Sequence, residues 1–275
     1  MKLGKKLLSL LTVLCLTLSL FPTMALAADA TTTTVKVGNT SIDKGKYFAN
    51  NTLSDTLPTG GAGYIYFKDD GTLELNGYRG SSKIDITGDL TINLVGENEI
   101  TTSNANSIYS TGALTITGEN ETKGSLTMSS AGDLTTVYAT SPITIHGSAV
   151  VNATINGGAQ AIHSNPSSGT GSITITGNAK VTAKNTRTLS QTSDAADAHS
   201  VALLTGTYGS TSGTITVSDS ASLLAQGSTQ ALKCETFTAT AQGLITEVSK
   251  NYTGANPETT YNSSSLANYK YVHVH

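Results

Sequence analysis

The sequence predicts an all-β protein: a parallel β-helix, or solenoid, of about six three-strand coils, with a capping hairpin near the N-terminus and a strand at the C-terminus. Three observations carry that expectation. A small-residue turn followed by apolar-Thr-apolar recurs at TGDLTIN (87–93), TGALTIT (111–117), TSPITIH (140–146), TGSITIT (170–176) and SGTITVS (212–218). Each unit has room for two further short apolar runs, and no helical periodicity lies between them. The composition is poor in charge, lacks tryptophan and is rich in Thr, Ser, Gly, Asn and Ala. Such a chain either stays disordered or buries regularly spaced apolar residues, and the recurrence selects burial.

Taken from the N-terminus, Lys2, Lys5 and Lys6 precede an uncharged apolar run from Leu7 to Leu20, then Pro22 and the small-residue pattern Ala25-Leu26-Ala27. This reads as a secretory signal peptide, residues 1–27, cut after Ala27. The run is short against the roughly 20 residues a bilayer span needs, and no later stretch is longer. The expectation is a secreted, extracellular protein without membrane insertion, with retention at the cell surface left open. Removing residues 1–27 takes away three lysines and no acidic residue, which leaves 13 basic and 19 acidic side chains and a formal charge of −6. With only two arginines, Arg79 and Arg187, this mildly acidic chain is not expected to bind nucleic acid.

Residues 28–62 are read as a lead-in and cap segment. GYIYFKDDGTLELNGY, Gly63 to Tyr78, alternates on both sides of Asp70-Gly71, a hairpin-turn pair, and is expected to lead into the first coil and cover its open end. The repeat domain is placed at 63–249. Its first-run apolar positions are Leu90, Leu114, Ile143, Ile173 and Ile215, in steps of 24, 29, 30 and 42 residues, with Phe237 as a sixth. Second runs follow at Ile100, Leu126-Thr127-Met128, Val150-Val151, Val181-Thr182-Ala183 and Leu223-Leu224. Third runs are Ile84-Asp85-Ile86, Ile108-Tyr109-Ser110, Val137-Tyr138-Ala139, Ile162-His163-Ser164 and Leu232-Lys233-Cys234, with Val201-Ala202-Leu203 assigned to the coil that carries an insertion at 185–200. Residues 250–275 form a C-terminal cap or tail ending in the alternating YKYVHVH.

In that register Cys234, the one cysteine after Ala27, aligns with Ser110, Ala139 and Ser164 and is expected to be a buried small side chain. No GxSxG or paired-aspartate motif is present, and both arginines lie in turns, so no catalytic residue is assigned. No metal site is assigned either. His273 and His275 share a strand face at the terminus and read as a solvated tail, and DAADAHS (194–200) reads as a polar loop. The outward positions of the third runs differ in kind: Asp85, Tyr109, Tyr138 and His163 form a column whose stacked rings either brace the sheet face by themselves or offer a strip of π faces on which sugar rings can stack.

The signal peptide, GTLELNGY, the TGDLTI and TGALTIT coil starts, and the SIYS, TVYA and AIHS third runs together resemble secreted Firmicutes proteins described as carbohydrate-binding-domain-containing. The resemblance covers about Gly63 to Ser249. It implies a right-handed parallel β-helix of pectate-lyase-like shape that binds plant polysaccharide, including acidic pectic chains with calcium. Calcium enters only through the resemblance, and no calcium-ligand motif carries over residue by residue; no other cofactor is expected. The sequence therefore predicts a monomeric, non-catalytic carbohydrate-binding protein that takes polysaccharide along one face through Asp85, Tyr109, Tyr138 and His163. A structural or adhesive surface protein is the alternative, and a pectinolytic lyase or hydrolase the third reading.

Overall fold

The computed structural model describes residues 32–118, 124–167, 169–188, 200–207, 212–240, 244, 246–258 and 261–275. The expected signal peptide and most of the insertion, including Asp194, Asp197 and His199, lie outside the described residues. Among the described residues the chain is all-β apart from one short 3-10 helix, Ser263–Asn268.

The strands fall into three sheets, which the chain visits in a fixed rotation. The first-run sheet is built around Thr72–Asn76, Leu90–Val95, Leu114–Gly118, Ile143–Gly147, Ser172–Ile175, Thr214–Val217 and Thr236–Ala239. The second-run sheet runs through Arg79–Gly80, Glu97–Ser103, Ser125–Ala131, Val150–Ile155, Lys180–Asn185 and Ser222–Gln226. The third-run sheet holds Ile84–Thr87, Ile108–Ser110, Val137–Ala139, Ile162–Ser164, Val201–Thr205 and Gln230–Lys233. Within each set the neighbours pair in parallel, which is the pairing expected when the rest of each repeat acts as the crossover.

Register follows the apolar pattern. Leu90, Leu114, Ile143, Ile173, Ile215 and Phe237 stand directly opposite one another along the first-run sheet. Ile84, Ile108, Val137, Ile162, Leu203 and Leu232 do the same along the third-run sheet. These side chains are almost wholly buried in one continuous core. Each contributes roughly 1.5–3 kcal/mol on burial, and a strand of three to five residues gains this only by stacking. One assignment shifts: Leu203-Leu204-Thr205, not Val201-Ala202-Leu203, stands opposite Ile162-His163-Ser164. The slip is two residues, which preserves the inward and outward alternation.

Corners between third and first runs are tight. The Ala113 amide donates to Asp89 Oδ1 at 2.7 Å, and the Gly88 amide to Thr111 Oγ1 at 3.2 Å. A Cβ on Gly112 would lie 2.2 Å from the Gly88 carbonyl carbon, so the two glycines let successive coils approach at this edge.

Both ends of the array turn antiparallel. Tyr64–Phe67 and Thr72–Asn76 form the expected hairpin, with Gly71 at φ +88°. That hairpin extends the first-run sheet, which continues through Lys46–Ala49 to Thr52–Ser54. The third-run sheet is closed separately, by Thr34–Val37 laid antiparallel on Ile84–Thr87 and paired with Thr40–Ile42. At the other end Tyr271–Val274 lies antiparallel between Ser222–Gln226 and Thr246–Ser249.

Candidate functional site

The third-run sheet places Asp85, Tyr109, Tyr138 and His163 opposite one another in one column. Asp85 is half-buried and is held by Lys83, whose Nζ lies 2.8 Å from Oδ2. The rings of Tyr109 and Tyr138 are 5.4 Å apart and within 3° of parallel. The Tyr138 hydroxyl accepts a hydrogen bond from Asn165 Nδ2 at 2.7 Å. The stack gives one π face of each tyrosine to the other. The faces shared in the stack are not open to a ligand, in contrast to the open strip of faces that the alternation implies.

His163 departs further from expectation. It occupies the outward register position but is fully buried. Its ring stands at 90° to Tyr138, 5.2 Å away, and Nε2 donates to the Gly206 carbonyl at 2.7 Å. Burial holds its pKa down to about 4 against the ordinary 6.5, so the neutral ring with its proton on Nε2 is the native form. The next position of the column is buried too: Leu204, the partner of His163, is apolar and 1 % exposed. His163 is therefore removed from the sugar-contacting set. The accessible part of the column is Asp85, Tyr109 and Tyr138, a length on the order of 10 Å at the usual strand spacing.

The first-run sheet carries an outward feature that the sequence reading passed over. Thr72, Thr91, Thr115, Thr144, Thr174, Thr216 and Thr238 stand in one unbroken row, each partly exposed. The signal was the central Thr of the apolar-Thr-apolar repeat, which served only to mark strands. At one end of this sheet Tyr47 stacks on Tyr66 at 4.2 Å and meets Tyr64 edge-on at 5.4 Å. Tyr64 donates to Glu74 Oε1 at 3.0 Å and accepts from Asn76 Nδ2 at 3.0 Å. Lys68 pairs with the other Glu74 oxygen at 2.8 Å. Burial first, then the Glu74 contact, pushes the Tyr64 hydroxyl up to about 12, which keeps it a donor. These tyrosines alternate with Ile65, Phe67 and Phe48, so they face outward because their neighbours face in.

Cys234 is buried as expected and stands one position beyond the Leu204–Lys233 pair. Burial pushes its thiol up to about 12. The solvated-tail expectation holds for His275, which is exposed, but not for His273, which is half-buried in a strand paired on both sides and faces Glu247. Among the described residues, Glu247, His273 and His275 form the one group of three His, Cys, Asp or Glu side chains able to hold a metal. Calcium takes about six to eight oxygen ligands, so two ring nitrogens and one carboxylate do not fit it.

Comparison with protein-family models, with curated proteins and with solved structures finds no match. No helix among the described residues is long and apolar enough to cross a membrane.

Proposed function

We propose that the chain is a secreted, non-catalytic carbohydrate-binding protein whose three sheets close into a right-handed parallel β-helix, and that it holds polysaccharide along the outer face of the first-run sheet. The row of seven partly exposed threonines carries this reading. A hydroxyl and a methyl repeat about every 4.8 Å along the stack. A periodic row suits a ligand that is itself a polymer of hydroxylated units, because successive units meet the same pair of groups. Tyr47, Tyr64 and Tyr66 supply ring surface at one end of that face, with Glu74, Asn76 and Lys68 as hydrogen-bonding neighbours. Asp85, Tyr109 and Tyr138 on the third-run sheet are a second, shorter contact. Plant cell-wall and acidic glycans are the proposed class, from the sequence resemblance.

A structural or adhesive role is favoured by one specific observation, the Tyr109–Tyr138 stack, in which each ring braces the other. Retention on insoluble cellulose and xylan and on polygalacturonate gels, with and without chelator, separates the two. Binding to one of these polymers supports the glycan reading. Absence of binding to all of them leaves the structural one, and release of soluble sugar would overturn the non-catalytic assignment.

A further inference from the structure

We propose that Glu247, His273 and His275 form a binding site for a divalent transition-metal ion of the zinc type at the C-terminal end of the second-run sheet. The site does not depend on the glycan reading.

The strand pairing assembles it. Glu247 and His273 are direct partners across the antiparallel pair Thr246–Ser249 and Tyr271–Val274. His275 lies two residues beyond His273 and so on the same face. The two imidazoles stack 4.3 Å apart at 25°. Their nitrogens converge on one carboxylate oxygen, His273 Nδ1 at 3.6 Å and His275 Nε2 at 3.8 Å from Glu247 Oε2. All three ligand atoms lie within 4.8 Å of one another.

Those separations are informative. Both nitrogens are within ion-pair reach of the Glu247 carboxylate, at separations longer than an ordinary hydrogen bond. An ion about 2.0–2.2 Å from each of its ligands in a tetrahedral shell sets them roughly 3.4 Å apart, near the two nitrogen–oxygen separations of 3.6 and 3.8 Å. The donors are two imidazole nitrogens and one carboxylate, the set that suits zinc, cobalt and nickel over magnesium and calcium. Three protein ligands leave one position for water. The ligands stand on or directly beside strands held by backbone pairing, so little ordering is needed before an ion binds. One side is lined by Leu224, the partner of His273 on the neighbouring strand, and Tyr271 stands 6.2 Å from the His273 ring.

An ion here ties the last strand to Thr246–Ser249 and stabilises the folded chain by mass action. The test uses the full-length chain without a histidine tag. Zn2+ is titrated by calorimetry, Co2+ is followed by its visible absorption, and thermal unfolding is recorded with and without Zn2+. The expected result is one ion per chain, a four-coordinate Co2+ spectrum and a raised Tm. Each is lost in His273→Ala and in Glu247→Gln, while the metal-free Tm and circular dichroism of Glu247→Gln stay unchanged. His275→Ala, at the exposed terminus, serves as the variant least able to disturb folding and is expected to lose the same signals. Absence of saturable one-to-one Zn2+ binding overturns the proposal, as does wild-type affinity in His275→Ala or Glu247→Gln.

Discussion

The Tyr109 ring lies 5.4 Å from that of Tyr138 and within 3° of parallel, on strands paired residue for residue. Aromatic pairs of this kind are worth about 0.5–1.5 kcal/mol beyond the area they bury. Tyr109→Ala and Tyr138→Ala are each expected to lower unfolding free energy, and a double-mutant cycle in urea should return a coupling in that range. A coupling of zero would mean that the stack is geometric coincidence.

Lysine placed in the threonine row separates recognition from stability. Thr144 and Thr174 are partly exposed partners on adjacent strands, with the inward Ile143, Ile145, Ile173 and Ile175 untouched. Thr144→Lys with Thr174→Lys should change stability by only about 0.5 kcal/mol per site and, on the proposed function, abolish retention on polysaccharide. Tyr109→Ala with Tyr138→Ala should weaken it less. The reverse order would move the principal contact to the third-run sheet.

His163 makes the fold sensitive to mild acid. Its folded-state pKa, about 4, is below the value of 6.5 in the unfolded chain, so the unfolded chain takes up a proton that the native state excludes. The stability contributed is complete above pH 6.5 and is lost as pH falls toward 4. Between pH 7 and pH 5 the loss should be about 2 kcal/mol. Asp70 and Asp219, both held low by hydrogen bonds from neighbouring backbone amides and hydroxyls, titrate below that window. Denaturant melts at the two pH values check the loss, and His163→Leu should reduce the difference, leaving the share of His273, whose pKa burial also lowers.

Gly112→Ala tests the corner. The added methyl meets the Gly88 carbonyl carbon at 2.2 Å, and backbone cannot swing aside as a side chain can. A loss of about 1–3 kcal/mol is expected, the usual cost of overpacking. Thermal or urea unfolding measures it, and unchanged stability would show that the coils have slack at this edge.

Cys234 should be inert in the native state. It is buried and its thiol is pushed up to about 12, so almost no thiolate exists at pH 8. A thiol-specific chromogenic reagent should react only at the rate of unfolding, with one equivalent appearing in denaturant. Prompt labelling of the folded protein would contradict the burial.

The strand arrangement is legible because each first run repeats apolar-Thr-apolar, which aligns Leu90 through Phe237 from the sequence alone. The alignment erred where alternation carries no information: a two-residue slip at Val201–Thr205 leaves every side chain on its own side. His163 was misplaced for a different reason. Alternation sets which way a side chain points, whereas burial depends on partners distant in sequence, here the Gly206 carbonyl that the His163 ring bonds. The threonine row was visible throughout, and was passed over because aromatic residues suggested a sugar face more readily than hydroxyls did. Glu247 was invisible for a topological reason: nothing in YKYVHVH tells which strand the last one will lie beside, and the partner turned out to be antiparallel.

Leu90, Leu114 and Ile143 occupy equivalent places on successive strands, as do Thr91, Thr115 and Thr144. Excising residues 114–142 would bring Ile143 opposite Leu90 and Thr144 opposite Thr91, with both closed ends left as they are. The array thus has a natural quantum of length, one visit to each of the three sheets, and removing a whole quantum keeps every apolar position opposite an apolar position. The uneven steps of 24, 29, 30 and 42 residues show that extra chain is already absorbed between the runs while the strands keep count. The length of the array is then a property set by tally, separate from the chemistry of any single rung.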